Sequence, residues 1–405
     1  MAVRPRPDPR AAGLMIDPVA DQRLLEPLPL SAASTNIDAL QRLLDGAGSY
    51  LPVPTHDEAE TRRLTAALGA GEPIDDDVAL VVATSGTTGT PKGAMHSAAS
   101  VKASIDATHE YLGGPGAWLL ALPPHHIAGL QVLLRSVRAG CDPVTLDVAD
   151  GFDPADLVAG VDKMPGPRRY TSLVPTQLIK VLADPSAVAA LRSVDAVLVG
   201  GAATPAPLRE RAIDAGIPIV RTYGMSETCG GCVYDGRPLP GVRIRIDGSP
   251  SGRVQLGGPM VASGYRGRPH HPAFAEPGWF RTDDLGTLNV DGSLSILGRA
   301  DEAISSGGLT IVPQVVEAAL LTDPAVSECA VLGLPDERLG EQVVAAIVLS
   351  PGAFATTEDL QEVVAEQLDK TAVPRQVFFV DDLPRRGPGK VDRAALRSQL
   401  SGHGR

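Results

Sequence analysis

The chain has 405 residues, with 36 lysines and arginines against 48 aspartates and glutamates, which gives a formal net charge of −12. Its 43% hydrophobic and 21% charged residues are typical of a globular protein, and its length predicts two or three domains. The negative charge argues against a surface for nucleic acid or anionic membranes. No run reaches the roughly 18 apolar residues of a membrane span, and no signal-peptide pattern opens the chain. We therefore expect a cytoplasmic protein with no nucleic-acid partner and no membrane insertion.

The first two thirds of the chain predict strands that alternate with helices. Residues 1–30 are rich in proline and arginine and predict a loose arm with short pieces of structure. Further on, apolar runs end at turns rich in glycine and threonine, and helical periodicity follows several of them. Strands are predicted at 77–84, 117–122, 170–174, 194–201 and 217–222, and helices at 98–111, 176–183 and 206–215. This alternation indicates βαβ units and a largely parallel sheet.

Two other patterns follow. Short alternating strands at 241–246, 252–257 and 294–297 predict a small antiparallel or barrel-like section. Beyond it a compact α+β unit is predicted, with helices at 315–321 and 358–368 and strands at 326–334, 342–349 and 376–380. We therefore predict an α/β fold in two parts. Residues 1–298 form a large N-terminal domain with parallel αβ-layered sheets and the barrel-like section, and residues 299–405 form a small, mobile α+β C-terminal domain.

One stretch has the composition of a phosphate-binding loop. It directly follows the first predicted strand and reads Thr84-Ser85-Gly86-Thr87-Thr88-Gly89-Thr90-Pro91-Lys92-Gly93. Glycines let backbone N–H groups approach an anion, hydroxyls donate to its oxygens, and lysine neutralises its charge. The stretch is not a P-loop, because Gly93 follows Lys92 where a serine or threonine would hold Mg²⁺.

This loop resembles the phosphate-binding signature of the acyl-adenylate-forming, or AMP-binding, enzymes, which include acyl-CoA ligases, adenylation domains and luciferases. Further motifs of that family follow in order between residues 84 and 393. They read GGA at 200–202, YGMSET at 223–228, WFRTDDL at 279–285, GRAD at 298–301 and PRRGPGKVDR at 384–393. One departure is that Asp283 replaces the usual glycine.

The resemblance implies a site for ATP and Mg²⁺. Tyr223, next to Gly224, would stack near the adenine, and Thr228 would contact the α-phosphate. Glu227 would help to hold Mg²⁺, since a hard cation prefers carboxylate and phosphate oxygens. The remaining contacts are implied as follows: Gly200, Gly201 and Ala202 beside the adenine, Asp284 on both ribose hydroxyls, and Arg299 on the ribose or a phosphate.

The resemblance also implies two catalytic states. Lys390 would reach into the site while the acid is joined to AMP. The C-terminal domain would then rotate about Asp301, carry Lys390 away and admit the thiol of coenzyme A past a small-residue loop that includes Gly307 and Gly308. ATP, Mg²⁺ and coenzyme A are thus the implied cofactors and co-substrates.

Four further segments resemble one branch of the family, the o-succinylbenzoate–CoA ligases of menaquinone biosynthesis. They read LPPHHIAGL at 122–130, SLVPTQL at 172–178, YGMSETCGGCVY at 223–234 and ISSGG at 304–308. The likeness places His126 near the acyl end and makes Gly230, Gly231 and Cys232 small walls of an acid pocket. Because that substrate carries a second carboxylate, a cation is expected there; the candidates are Arg168, Arg169 and Lys180.

Several alternatives stay open. The protein could be another aryl- or fatty-acyl–CoA ligase, or a stand-alone adenylation enzyme that loads a carrier protein. A nucleotide-binding regulator is disfavoured because the key lysines and carboxylates are present. The expected partners are a small carboxylic acid, ATP and coenzyme A, and the family resemblance also allows a homodimer. Cys229 and Cys232 form a C-x-x-C pair that lacks the other two zinc ligands, so we expect packed thiols, with a redox pair as the alternative.

Overall fold

The computed structural model describes residues 22–84, 91–248, 251–386 and 390–401. The first part of the chain forms β1 (Leu25–Leu30), α1 (Ile37–Leu44), β2 (Ser49–Pro54), α2 (Glu58–Leu68), β3 (Leu80–Ala83), β4 (Gly93–His96), α3 (Ala98–Tyr111), β5 (Ala117–Leu120) and α4 (Ile127–Ala139). It continues with β6 (Val144–Thr145), α5 (Pro154–Lys163), β7 (Arg169–Leu173), α6 (Pro175–Leu182), α7 (Pro185–Leu191), β8 (Ala196–Val199), α8 (Ala206–Asp214), β9 (Ile219–Met225), β10 (Gly230–Tyr234) and β11 (Arg237–Pro238).

The remaining elements are mostly strands. The middle section forms β12 (Arg243–Asp247), β13 (Gly252–Gly257), β14 (Gly264–Tyr265), β15 (Trp279–Leu288) and β16 (Leu294–Arg299). The last section forms β17 (Ile304–Ser306), β18 (Leu309–Ile311), α9 (Pro313–Leu320), β19 (Val326–Asp336), β20 (Gly340–Leu349), α10 (Thr357–Gln367), β21 (Gln376–Phe379), β22 (Arg385–Arg386), β23 (Lys390–Val391) and α11 (Arg393–Ser401).

Local sequence explains where several helices begin and end. α3 begins after Ser97, whose hydroxyl accepts the N–H of the third residue beyond it. α5 begins after the capping carboxylate of Asp153, and Pro154 is its first residue, a position where the missing N–H does no harm. α4 ends at Gly140, which has a φ of 68° and so closes the helix in the left-handed conformation that glycine allows.

The predicted parallel sheet is confirmed. It has seven strands in the order β11-β10-β9-β8-β7-β5-β6. The strands β9, β8, β7, β5 and β6 run parallel, β10 pairs antiparallel with β9, and β11 pairs antiparallel with β10. A second sheet has the order β1-β2-β3-β4-β14, with its first three strands parallel. The middle section forms an antiparallel sheet in the order β12-β13-β15-β16. We predicted an antiparallel or barrel-like section there, and the structure shows the antiparallel sheet.

Three details differ from or add to the predictions. Residues 25–30, in the arm for which we predicted short pieces of structure, form the strand β1, which pairs with β2 and buries three leucines; its prolines are tolerated because β1 is an edge strand. β9 runs on to Met225, so the first three residues of the YGMSET motif lie inside a strand, whereas we predicted that the motif follows the strand. The WFRTDDL motif, at 279–285, belongs to a ten-residue strand, β15, that we did not predict.

The hydrophobic cores change at the expected domain boundary. Three clusters draw only on residues between Leu25 and Leu294. Two others draw only on residues between Ile304 and Leu400. The division into 1–298 and 299–405 stays a prediction, which this separation supports. Within the described residues, no helix is long and apolar enough to cross a membrane.

Candidate active site

The two ends of the predicted phosphate loop are held together. Ala83 of β3 pairs with Gly93 of β4, and the N–H of Thr84 donates to the carbonyl of Lys92 over 2.8 Å. Ser85, Gly86, Thr87, Thr88 and Gly89 lie outside the described residues. The paired strands β3 and β4 therefore hold Thr84 and Lys92 next to each other, and the phosphate contacts of the segment stay a prediction.

A short turn, Ser226–Thr228, is fixed against the base of this loop. The hydroxyl of Ser226 donates to the carbonyl of Ala83 over 3.0 Å. The ring of His96 is 2.7 Å from the carbonyl of Ser226. Burial lowers the pKa of His96 to about 4, so the ring is neutral and donates through Nε2. These bonds hold the YGMSET motif beside the end of β3 where the phosphate loop begins.

Glu227 and Lys92 approach each other through Tyr265, a residue that sequence reasoning missed. The hydroxyl of Tyr265 donates to the carboxylate of Glu227, and the ammonium of Lys92 is 5.0 Å from the centre of the Tyr265 ring. Burial raises the pKa of Glu227, an effect that the Tyr265 bond and the charges of Lys92 and Arg299 oppose. A buried carboxylate beside a phosphate loop fits Mg²⁺, because a bound cation would offset the unfavourable burial of its charge.

A second carboxylate lies farther along the same region. The hydroxyl of Tyr223 donates to Asp284 over 2.7 Å. Asp284 lies opposite Arg299 in the β15–β16 pair, and their side chains are 3.6 Å apart. Arg299 also binds both carboxylate oxygens of Asp301 at 2.8 Å. β9 thus places an aromatic ring beside a carboxylate that can accept two hydroxyls, which fits the ribose of a nucleotide.

The additional charge of Asp283 is matched by a neighbouring arginine. Its carboxylate is 3.1 Å from a guanidinium nitrogen of Arg253 and 3.8 Å from one of Arg299. The departure from the family motif therefore adds a local ion pair rather than an isolated negative charge, and the bond from Tyr223 to Asp284 is kept.

Close approach of neighbouring strands explains two of the predicted site glycines. A Cβ at Gly200 would lie 2.2 Å from the hydroxyl oxygen of Thr222, so β9 itself excludes a side chain there, before any adenine is considered. A Cβ at Gly224 would lie 2.1 Å from the carbonyl oxygen of Gly230 in β10. Gly201 has a φ of 80° and, like Ala202, is exposed. Their contacts to adenine stay a prediction.

The C-terminal motifs lie on two hairpins. Gly307 and Gly308, with φ of 58° and 82°, form the tight turn between β17 and β18. Lys390 begins β23 and pairs with Arg386 of β22. The described contacts do not join either hairpin to Lys92, Glu227, Tyr223 or Asp284, so the roles of Gly307, Gly308 and Lys390 stay predictions.

Helix α4 lies against the predicted acid pocket. His126 is the residue before its first turn, and its ring centre is 4.2 Å from that of His125. A Cβ at Gly230 would lie 3.1 Å from Gln131 and 3.7 Å from Ile127, both on α4. β10 and α4 are therefore in direct contact at Gly230, and the role of Gly230, Gly231 and Cys232 as pocket walls stays a prediction.

Helix α4 carries a buried cation that was not among the three candidates. Arg169 and Lys180 bind carbonyls outside this region, at Ser193 and Phe152, and Arg168 borders Gly114. Arg135, which sequence reasoning missed, is only 3% exposed. Its guanidinium is 3.2 Å from the hydroxyl of Thr108, 3.3 Å from that of Tyr234 and 5.0 Å from the ring of Trp118.

Among the described residues no salt bridge joins Arg135 to a carboxylate, and its Nε is buried without a hydrogen-bond partner. A buried guanidinium without a counter-charge is costly and rare unless something binds it. Thr108 and Tyr234 supply only neutral oxygens. Among the described residues, Arg135 is therefore the best candidate to bind an anionic group near β10.

Cys229 and Cys232 are packed free thiols. Both are buried, and burial raises the pKa of each to about 12. Redox exchange and metal binding use the thiolate, which a pKa this high disfavours at neutral pH. The geometry therefore supports packing, the first of the two interpretations of this pair.

Comparison with known proteins agrees with these motifs. The chain matches the family "AMP-binding enzyme" over residues 20–266 and its C-terminal domain over residues 315–390. It is 57% identical over 376 residues, 92% of this chain and 97% of the relative, to a probable 2-succinylbenzoate–CoA ligase of Mycobacterium tuberculosis (strain ATCC 25618 / H37Rv). A 2-succinylbenzoate–CoA ligase of Geobacillus sp. (strain WCH70) is 34% identical, over 80% of this chain and 70% of the relative.

Solved structures show the same architecture. The o-succinylbenzoate CoA synthetase from Bacillus subtilis, in complex with its acyl-adenylate intermediate, matches with a TM-score of 0.71 and 29% identity, over 92% of this chain and 82% of that one. An amide bond synthetase from Marinactinospora thermotolerans matches with a TM-score of 0.80 and 25% identity, over 94% of this chain and 90% of that one. By its motifs, its geometry and these relatives, the chain belongs to the AMP-binding enzyme family.

Proposed function

We propose that this protein is an ATP-dependent acid–CoA ligase that activates o-succinylbenzoate as its acyl-AMP and transfers the acyl group to coenzyme A. The observation that carries the proposal is the placement made by β9 and the turn after it. The hydroxyl of Tyr223 donates to Asp284, the carboxylate expected to bind the ribose. The hydroxyl of Tyr265 donates to Glu227, and Lys92 lies over the ring of Tyr265. The 57% identical M. tuberculosis relative supports the choice of acid.

The first step joins two anions, and the site supplies the positive charge that this requires. A carboxylate oxygen of the acid attacks the α-phosphorus of ATP, a new O–P bond forms, and the bond to pyrophosphate breaks. Glu227 would hold Mg²⁺, which supplies further neutralisation of phosphate oxygens when bound. At about 4 Å a unit charge such as that of Lys92 interacts by about 4 kcal/mol at an effective dielectric of 20.

The second step transfers the acyl group from AMP to a thiol. The sulfur of coenzyme A attacks the acyl carbonyl, the S–C bond forms, the C–O bond to AMP breaks, and the thiol proton passes to solvent. Rotation of residues 299–405 about Asp301 would remove Lys390 from the site beforehand. Arg299 pairs with both carboxylate oxygens of Asp301 and also faces Asp284, so its side chain connects the proposed hinge to the nucleotide site.

We place the acid pocket beside β10 and α4. Gly230 and Gly231 would form a flat wall for an aromatic ring, and Arg135 would pair with the carboxylate that is not activated. His126, at the start of α4, would lie near the acyl end. An aromatic dicarboxylate fits this arrangement better than a fatty acid does, since a fatty acid would leave Arg135 buried beside apolar carbon.

Replacing Arg135 with methionine tests the pocket. We expect the KM for o-succinylbenzoate to rise roughly 10- to 100-fold, as for the loss of a charge-assisted bond, while the KM for ATP changes little. Arg168→Met is the matched control, because Arg168 lies outside the pocket, and it should leave both constants unchanged. If Arg135→Met raised both KM values equally while the protein stayed folded, Arg135 would not be the acid-binding cation.

Replacing Tyr265 with phenylalanine tests the nucleotide side. The ring under Lys92 is kept, but Glu227 loses the hydroxyl that orients it. We expect MgATP to bind about tenfold more weakly in a fluorescence titration without acid, in line with the loss of one hydrogen bond to a charged group. Tyr111→Phe, which removes a half-exposed hydroxyl, is the control and should bind MgATP normally.

A second candidate function is a CoA ligase for another aromatic acid. A feruloyl-CoA synthase of Amycolatopsis sp. is 32% identical, over 90% of this chain and 82% of the relative.

The assay that tests the proposed function supplies ATP, free coenzyme A and o-succinylbenzoate and measures AMP, pyrophosphate and thioester. We expect one of each per acid consumed, in a cytoplasmic enzyme that meets its substrates as free small molecules. Acyl-AMP that accumulates without thioester would instead indicate a carrier-protein loader.

A further inference from the structure

The turn that carries Glu227 and Thr228 ends in an unfavourable backbone conformation. Cys229 has a φ of 54° and a ψ of 37°, the left-handed region that residues with a side chain rarely adopt. It closes the turn Ser226–Thr228, and its N–H donates to the carbonyl of Ser226 over 3.1 Å. Such a conformation persists only where neighbouring groups hold it, and it is concentrated at functional sites.

Two buried side chains from different helices hold this residue. The carbonyl of Cys229 accepts a bond from Nε2 of Gln131, on α4, over 2.6 Å, and another from the hydroxyl of Ser104, on α3, over 3.0 Å. Gln131 is also 3.1 Å from the Cys229 sulfur. Gln131 is 1% exposed and Ser104 is 2% exposed, so water does not replace these bonds.

The conformation of Cys229 determines where its neighbours point. The hydroxyl of Thr228 is 3.0 Å from the N–H of Met225 and 2.8 Å from the carbonyl of Gly230, so the turn is closed on both sides of Cys229. A change of φ at Cys229 would rotate Glu227 and Thr228 away from the phosphate loop. The two helices that grip the turn include α4, which also forms the proposed acid-pocket wall.

We propose that Gln131 and Ser104 are positioning residues that hold Cys229 in the left-handed conformation and thereby fix Glu227 and Thr228 for reaction with ATP. This inference rests on the proposed function. It adds a link between the acid pocket and the nucleotide site: α4 lines the first and holds the backbone of the second.

A rescue experiment tests the link. Gln131→Met keeps the volume of the side chain but removes its N–H donors, and we expect acid-dependent ATP–pyrophosphate exchange to fall about tenfold in kcat with a smaller change in the KM for the acid. Glycine adopts the left-handed region without penalty. Cys229→Gly in the Gln131→Met background should therefore recover most of the lost kcat.

Two controls separate backbone freedom from other effects. Cys229→Ala removes the sulfur but keeps the Cβ, so it should not rescue Gln131→Met. Ser136→Ala on α4 removes a buried hydroxyl that donates to the carbonyl of Val132 in the same helix, and it should leave exchange unchanged. Additive losses for Gln131→Met and Cys229→Gly, or equal rescue by alanine and glycine, would overturn the proposal.

The outcome is separable from that of the proposed function. MgATP binding measured by fluorescence without any acid should follow the same pattern of loss and rescue. If the wild type showed no exchange with any acid, the proposed function would fail, yet the binding pattern would still decide whether Gln131 positions the turn.

Discussion

Lys390→Ala should lower acid-dependent ATP–pyrophosphate exchange by about 10²- to 10³-fold, the range seen when one group that stabilises a developing charge is removed. The same variant, supplied with preformed acyl-AMP and coenzyme A, should make thioester at close to the normal rate. The difference follows from the proposed rotation, which takes Lys390 out of the site before the thiol reacts. Stopped assays of the two half-reactions on one preparation measure it.

Lys370→Ala is the control for this experiment. Lys370 lies in a short turn after α10 and outside all the family motifs, so both half-reactions should be unchanged. Equal loss in the two half-reactions of Lys390→Ala would contradict the rotating-domain account and would place Lys390 in a site shared by both steps.

Glu227→Gln should abolish most of the adenylation activity, by about 10²-fold, with little change in folding. Glutamine keeps the shape of the side chain and can still accept the bond from Tyr265, but it removes the negative charge beside Lys92. The charge is what a divalent cation would need. The Mg²⁺ concentration for half-maximal exchange should therefore rise together with the loss in rate.

A matched measurement distinguishes metal binding from mere packing. Manganese binding in the presence of ATP, followed by electron paramagnetic resonance, should weaken in Glu227→Gln and stay normal in Glu60→Gln, whose carboxylate forms only a surface ion pair. Unchanged manganese binding in Glu227→Gln would show that this carboxylate does not hold the metal.

Elements set by local sequence were predicted most accurately. The bounds of α3, 98–111, are those predicted, because its capping serine and its periodicity are both encoded within the segment. β9 was predicted too short, because Gly224 disfavours a strand locally and only pairing with β10 extends it. β1 was missed because its prolines indicate a loop, and its position on a sheet edge is not visible in the sequence.

The residues of the candidate site also fall into those that local sequence predicted and those that it did not. Lys92, Glu227 and Asp284 were found because each lies in a contiguous motif. Tyr265 and Arg135 were missed, because their partners are distant in sequence: Tyr265 meets Glu227 across 38 residues, and Arg135 meets Tyr234 across 99. No spacing rule joins such pairs; only the packing of β14 on β4 and of α4 on β10 brings them together.

The proposed function is tested most directly by a screen of acids in the ATP–pyrophosphate exchange reaction. We predict fast exchange with o-succinylbenzoate and at most weak exchange with benzoate and octanoate, because only the first brings a second carboxylate to Arg135. Preferential exchange with a monocarboxylic acid would contradict the assigned substrate, and no exchange with any acid would contradict the enzymatic account as a whole.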